Sequence, residues 1–140
     1  VNCLAVKNKA IDLFILFMSC ADDVNLVTNV PVDFVINLND PQFFNLTVGN
    51  AVTVTGGVKG IILYRAAEDI FFAYDRCCTY QVDKRIAVKL KSTMIVAQCD
   101  SCKSQFNLAL GDGDPFSGPA EYPLKRYRTA FNGTSLRVYN

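Results

Sequence analysis

At 140 residues with 51% hydrophobic content, the chain has the length of one domain able to bury a core. A net charge of +1 offers no strongly basic face for nucleic acid. The chain contains no histidine, which excludes Ser-His-Asp and Cys-His catalysis and removes the commonest imidazole metal ligand.

Residues 1–20 differ from the rest. Lys7 and Lys9 precede the apolar run Ile11 to Met18, which Asp12 alone interrupts and Ser19-Cys20 ends. A basic stretch, a short apolar stretch and a small residue is the order of an export signal. The run falls short of the ~20 apolar residues that span a bilayer. Phe17-Met18-Ser19-Cys20 resembles a bacterial lipoprotein box, with Phe17 where Leu is usual. That resemblance implies lipidation of Cys20, a mature protein beginning there, and a membrane anchor whose acyl chains contribute about 0.8 kcal/mol per buried CH₂. Residues 21–31, with Asp22, Asp23, Asn25, Asn29 and Pro31, then read as a tether, and Cys3 lies in the leader. The expected location is the periplasm or cell surface of a bacterium.

Beyond residue 32 the apolar period is two. Strands are expected over 32–38, 51–55, 60–65, 70–74, 86–90, 94–98, 105–110, 127–131 and 136–139, separated by Pro41, Gly56-Gly57 and the turn-rich Gly111 to Pro115. Asn132-Gly133 between two alternating runs predicts a hairpin with a type I′ turn, which requires positive φ twice. Many short strands and no helix beyond the leader make an all-β sandwich or partly open barrel of antiparallel sheets. Asp112 and Asp114 sit among glycines, but a Ca²⁺-loop pattern is incomplete and a tight turn is expected. Lys125, Arg126 and Arg128 read as a solvated strand face, and Tyr122 and Tyr127 as core.

Four of the six cysteines fall in two loops: Cys77-Cys78 after one strand and Cys99-Asp100-Ser101-Cys102 after another. A C-x-x-C pair can clamp a metal or cycle between dithiol and disulfide. The order of strands and loops resembles the Rieske iron–sulfur domain. Cys78-Thr79-Tyr80 falls on that family's C-x-H box, and Cys99 to Cys102 on its C-x-x-H box. Ser104-Gln105-Phe106, Gly118-Pro119-Ala120, Pro123-Leu124 with Tyr127, and the last hairpin match the family's segments beyond the second box. The resemblance runs from about residue 32 to the end and implies a Rieske-like fold. In that family, His₂ replaces Cys₂ on one of the two irons.

The departures are at the ligands. Tyr80 and Cys102 stand where histidines belong, and Lys103 where a glycine is usual. Asp83 and Ser101 occupy the places of an extra cysteine pair found in some members. The high-potential electron-carrier role therefore does not transfer, which leaves three readings. In the first, the domain has lost its cluster, binds no cofactor and serves as a structural or binding module for a protein or small ligand. Its loops would be stapled by disulfides such as Cys78–Cys99 or Cys77–Cys102, each contributing about 2–4 kcal/mol. In the second, an altered site of Cys77, Cys78, Cys99 and Cys102 holds Zn²⁺ or a Cys-rich [2Fe–2S] cluster, with Tyr80 a poor substitute for imidazole. Adjacent Cys77 and Cys78 are expected to point to opposite sides of an extended loop. In the third, Cys99 and Cys102 form a thiol redox catalyst, although they come after a strand rather than open a helix.

Overall fold

The computed structural model describes residues 26–140. The expected leader, with Cys3 and Cys20, and residues 21–25 of the expected tether lie outside the described residues. Ten strands carry the fold: β1 (Asp33–Asn37), β2 (Ala51–Val54), β3 (Ile61–Arg65), β4 (Phe71–Asp75), β5 (Lys89–Leu90), β6 (Val96–Gln98), β7 (Gln105–Asn107), β8 (Pro115–Ser117), β9 (Arg126–Phe131) and β10 (Ser135–Tyr139). Two single-turn 3₁₀ helices, Pro41–Phe43 and Val82–Lys84, are the only helices among the described residues. Neither is long and apolar enough to cross a membrane.

The strands form two sheets, ordered β1-β10-β9-β4-β3-β2 and β5-β6-β7-β8, with every pairing antiparallel. β4 and β9 are neighbours in the large sheet. The whole small sheet is therefore an excursion of the chain that leaves after β4 and returns at β9. Both cysteine loops belong to that excursion.

Alternation decides which core each side chain enters. Along β3, Ile61 and Leu63 join a cluster with Ile36, Phe71, Ala73, Tyr127, Leu136 and Val138. Ile62 and Tyr64 point the other way, into a cluster with Tyr74, Val88, Ala97, Phe106, Leu108 and Leu124. β3 and β4 are thus covered on both faces, which is why Ile61-Ile62-Leu63-Tyr64 is an unbroken apolar run. Complete burial of each such aliphatic side chain stabilises the fold by about 1.5–3 kcal/mol. The second cluster includes Cys78 and Cys99, so the loops rest on core rather than on solvent.

The expected strands all occur, most of them shortened at their ends. β8 is additional: it pairs through Gln105↔Ser117 and Phe106↔Pro115 with a register shift, and its proline sits on a sheet edge, so it carries no alternation signal. The β9–β10 hairpin forms without a type I′ turn. Gly133 takes φ +98°, but Asn132 is not in the positive-φ region. Asn132 instead accepts the Thr134 and Ser135 N–H groups on its side-chain oxygen at 3.1 and 2.8 Å, an Asx turn that replaces the second positive φ.

Three further readings change. Lys125 is only 8% exposed, while Arg126 and Arg128 do face solvent. Its ammonium donates to the Thr28 carbonyl at 3.3 Å and to Asn29 Oδ1 at 2.9 Å. Asn140 Nδ2 donates to the Val30 carbonyl at 2.7 Å, and Val27 is buried. Residues 26–31, read from sequence as the end of a tether, are therefore packed on the body. Tyr127 is core as expected, whereas Tyr122 is 40% exposed.

Candidate metal centre

The first cysteine loop starts from a buried carboxylate. Asp75, at the end of β4, is fully buried and has no ion-pair partner among the described residues. Its oxygens accept the N–H groups of Val58 (2.6 Å), Lys59 (3.3 Å) and Cys77 (2.8 Å) and the hydroxyl of Tyr127 (2.7 Å). Burial, then the Asp75 hydrogen bond, drive the Tyr127 phenol pKa well above its usual value, so it stays a donor. A β-carbon on Gly57 would collide with both Asp75 and Tyr127, and Gly57 has φ +60°. This network sets the direction in which the chain leaves β4. Cys77 then makes an isolated bridge to Ala87, and Cys78 N–H donates to the Ile86 carbonyl at 2.8 Å.

The second loop closes on itself after β6. Cys99 N–H donates to the Ser104 carbonyl (2.9 Å), and Lys103 N–H to the Cys99 carbonyl (2.8 Å). Such a tight return places Lys103 at φ +64°, the left-handed region that glycine enters without strain. The third loop, residues 118–123, is pinned to both others. Ser104 Oγ accepts the Ala120 N–H at 3.0 Å, and Thr79 Oγ1 donates to the Tyr122 carbonyl at 2.6 Å. Gly118, φ +87°, lies so close to Ser104 that a β-carbon there would be 2.5 Å from its Cα.

These loops bring three sulfurs together. The Sγ atoms of Cys78, Cys99 and Cys102 all lie within 4.8 Å of one another, and no carboxylate or further cysteine joins them among the described residues. The Sγ atoms of Cys78 and Cys102 are 3.6 Å apart. Cys78 and Cys99 are buried, while Cys102 is partly open. Cys77 is fully buried but outside the group, its sulfur 3.9 Å from the Cys78 carbonyl oxygen. Tyr80 is 45% exposed and lines an open groove of about 510 Å³ with Thr79, Val82, Asp83, Pro119 and Tyr122. All four described cysteines are free thiols, so neither Cys78–Cys99 nor Cys77–Cys102 is a disulfide here.

The thiols differ electrostatically. Burial pushes the Cys78 thiol pKa up, and the neighbouring Cys99 and Cys102 reinforce the shift. Burial pushes Cys102 up as well. There, hydrogen bonding with the Ser104 hydroxyl and N–H, and with the two other thiols, outweighs burial and holds it below the ordinary thiol value. Cys102 Sγ and Ser104 Oγ are 3.1 Å apart. Motif order places Ser104 after the second box, but it shows neither the hydrogen bonds of Ser104 nor the organising role of Asp75. The signal available is a polar residue directly beside each cysteine loop, at the end of an apolar strand or ahead of one.

No protein-family model and no curated protein matches the chain. Among solved structures, the ferredoxin of carbazole 1,9a-dioxygenase from Nocardioides aromaticivorans IC177 is similar at a TM-score of 0.52 and 18% identity, over 79% of this chain and 98% of that one. A complex of reduced oxygenase and oxidized ferredoxin in carbazole 1,9a-dioxygenase also matches, at a TM-score of 0.52 and 19% identity, over 77% and 93%. These neighbours are Rieske-type ferredoxins. The fold is Rieske-like.

A Rieske-like fold carries the expectation of a [2Fe–2S] centre, and the donors among the described residues do not complete one. The imidazole pair is absent because the chain has no histidine. A four-thiolate version needs a fourth sulfur, and Cys77 stands outside the converged group. Three thiols in one small volume remain.

Proposed function

We propose that this Rieske-like domain has lost the histidine-ligated [2Fe–2S] centre and works as an exported binding or structural module for a protein or small ligand, held to a bacterial membrane through lipidated Cys20. The observation that carries the loss is the filling of the two imidazole positions by Tyr80 and Cys102 in a chain without histidine. The 45% exposure of Tyr80 adds to it, because a phenol open to water has no burial to favour metal coordination over hydration. The open groove of about 510 Å³ beside Tyr80 is the natural place for a ligand.

A second reading retains metal binding with altered ligands, and the convergence of Cys78, Cys99 and Cys102 favours it. Iron and acid-labile sulfide assays on protein purified without oxygen test the loss: neither is expected in stoichiometric amount. A binuclear cluster with imidazole signatures in its magnetic spectrum refutes it. Mass analysis of membrane-extracted protein tests the anchor, with diacylglyceryl-Cys20 at the N-terminus expected and an intact residue 1 on a soluble product contradicting it.

A further inference from the structure

We infer that Cys78, Cys99 and Cys102 form a mononuclear site for one thiophilic d¹⁰ cation, Zn(II) or Cu(I), bound by three thiolates with no fourth ligand from the described protein. This rests on the reading that the histidine-ligated cluster is gone, and it names what the three sulfurs hold instead.

Nuclearity is set by distance. Thiolates at the Zn–S length of about 2.3 Å on one tetrahedral ion stand roughly 3.8 Å apart. Cys78 and Cys102 Sγ are 3.6 Å apart, and all three sulfurs fall within 4.8 Å. Sulfurs on opposite irons of a binuclear cluster must be farther apart, because the iron–iron separation adds to the span. Cys78 and Cys102 occupy positions that would serve opposite irons in the Rieske pattern, yet their sulfurs are only 3.6 Å apart. The three sulfurs span the size of a single-ion site.

Metal class is set by donor type. A set made only of thiolates selects soft ions, Cu(I) and Zn(II) among them, over Mg²⁺ or Ca²⁺. Each of the three thiols gives its proton to solvent as its sulfur–metal bond forms, and no electron is transferred. Burial of Cys78 and Cys99 is compatible with this because the cation arrives together with the charge it neutralises. Ser104 provides the surrounding support: its hydroxyl, 3.1 Å from Cys102 Sγ, is itself fixed by the Ala120 N–H. Cu(I) is satisfied by three thiolates in a plane, whereas Zn(II) needs one more donor such as water.

The test uses the full chain, reduced and handled without oxygen, titrated in separate arms with Co(II) as a reporter for Zn(II) and with Cu(I) against a competing chelator. Saturation is expected at one ion per chain, with thiolate-to-cobalt charge-transfer bands in the first arm. Cys77→Ser and the Cys3→Ser/Cys20→Ser double variant bind as the parent does, while Cys99→Ser and Cys102→Ser weaken binding by more than about tenfold. X-ray absorption on the zinc-loaded parent keeps the outcome independent of variant folding: three sulfur neighbours near ~2.3 Å are expected. Failure to bind, a fourth sulfur neighbour, loss of binding in Cys77→Ser or the double variant, or full affinity in folded Cys102→Ser overturns the mononuclear site. None of those results restores an imidazole-ligated cluster, so this inference can fail while the proposed loss stands.

Discussion

Lys103 shows what the departures from the family pattern cost locally. The loop after Cys102 still requires a left-handed residue, and Lys103 meets that requirement at φ +64°. A β-carbon there is strained by about 1–2 kcal/mol, partly offset by the entropy that glycine loses on folding. Lys103→Gly should therefore stabilise the domain by roughly 0.5 kcal/mol, read as a higher urea midpoint at unchanged slope. A lower midpoint would show that the lysine makes a contact worth more than its strain. Ser104 has the opposite balance. Ser104→Ala leaves the Ala120 N–H buried without a partner and removes the hydroxyl beside Cys102, a loss of about 1–3 kcal/mol. Chemical denaturation measures it, and a variant as stable as the parent would mean that water replaces the hydroxyl.

At the scale of elements, β4 and its terminal Asp75 hold the site in place. Asp75→Ala strips four donors of their acceptor, three of them backbone N–H groups and one the Tyr127 hydroxyl. A loss of at least about 3 kcal/mol is expected, together with faster amide exchange at Val58 and Cys77. Exchange that stays as slow as in the parent would contradict the claim that this carboxylate organises the loop. Tyr127 within this network and Tyr74 outside it, hydrogen-bonded to the Leu108 carbonyl, give the fold an alkaline limit. Burial raises the phenol pKa of Tyr74 and of Tyr127 above the ordinary 10.0. Their contribution is complete below that value. As pH rises through it, the unfolded chain releases protons that the folded chain keeps, so stability falls. Melting temperature should begin to drop near pH 10 and keep falling above it, and drop less in Tyr127→Phe. Equal slopes in the two proteins would remove Tyr127 from the explanation.

The elements are largely legible in the sequence because period-two alternation survives in β1, β2, β9 and β10, and glycines mark the turns. β3 is legible through its unbroken apolar run, although only the structure shows that its two faces enter different cores. β8 is not, since a three-residue edge strand beginning with proline offers no pattern. Of the site, the two cysteine loops and the proline loop can be placed from motif order. Which sulfurs converge cannot, because that depends on how the Asp75 and Ser104 hydrogen bonds aim loops separated by some twenty residues of sequence. Lys125 misleads for a related reason: a basic run signals solvent until a partner from a distant segment, here Thr28 and Asn29, takes up its charge.

For the molecule as a whole, the small sheet is an excursion from the large one, and its three loops meet at a cluster of thiols. A Rieske-like fold is built here by a chain that cannot supply imidazole. Native mass spectrometry of the intact protein, isolated without oxygen, tests this most directly. The account predicts either the bare chain mass or an increment of one metal ion with its displaced protons, and no inorganic sulfide. An increment of two irons and two sulfides would contradict it.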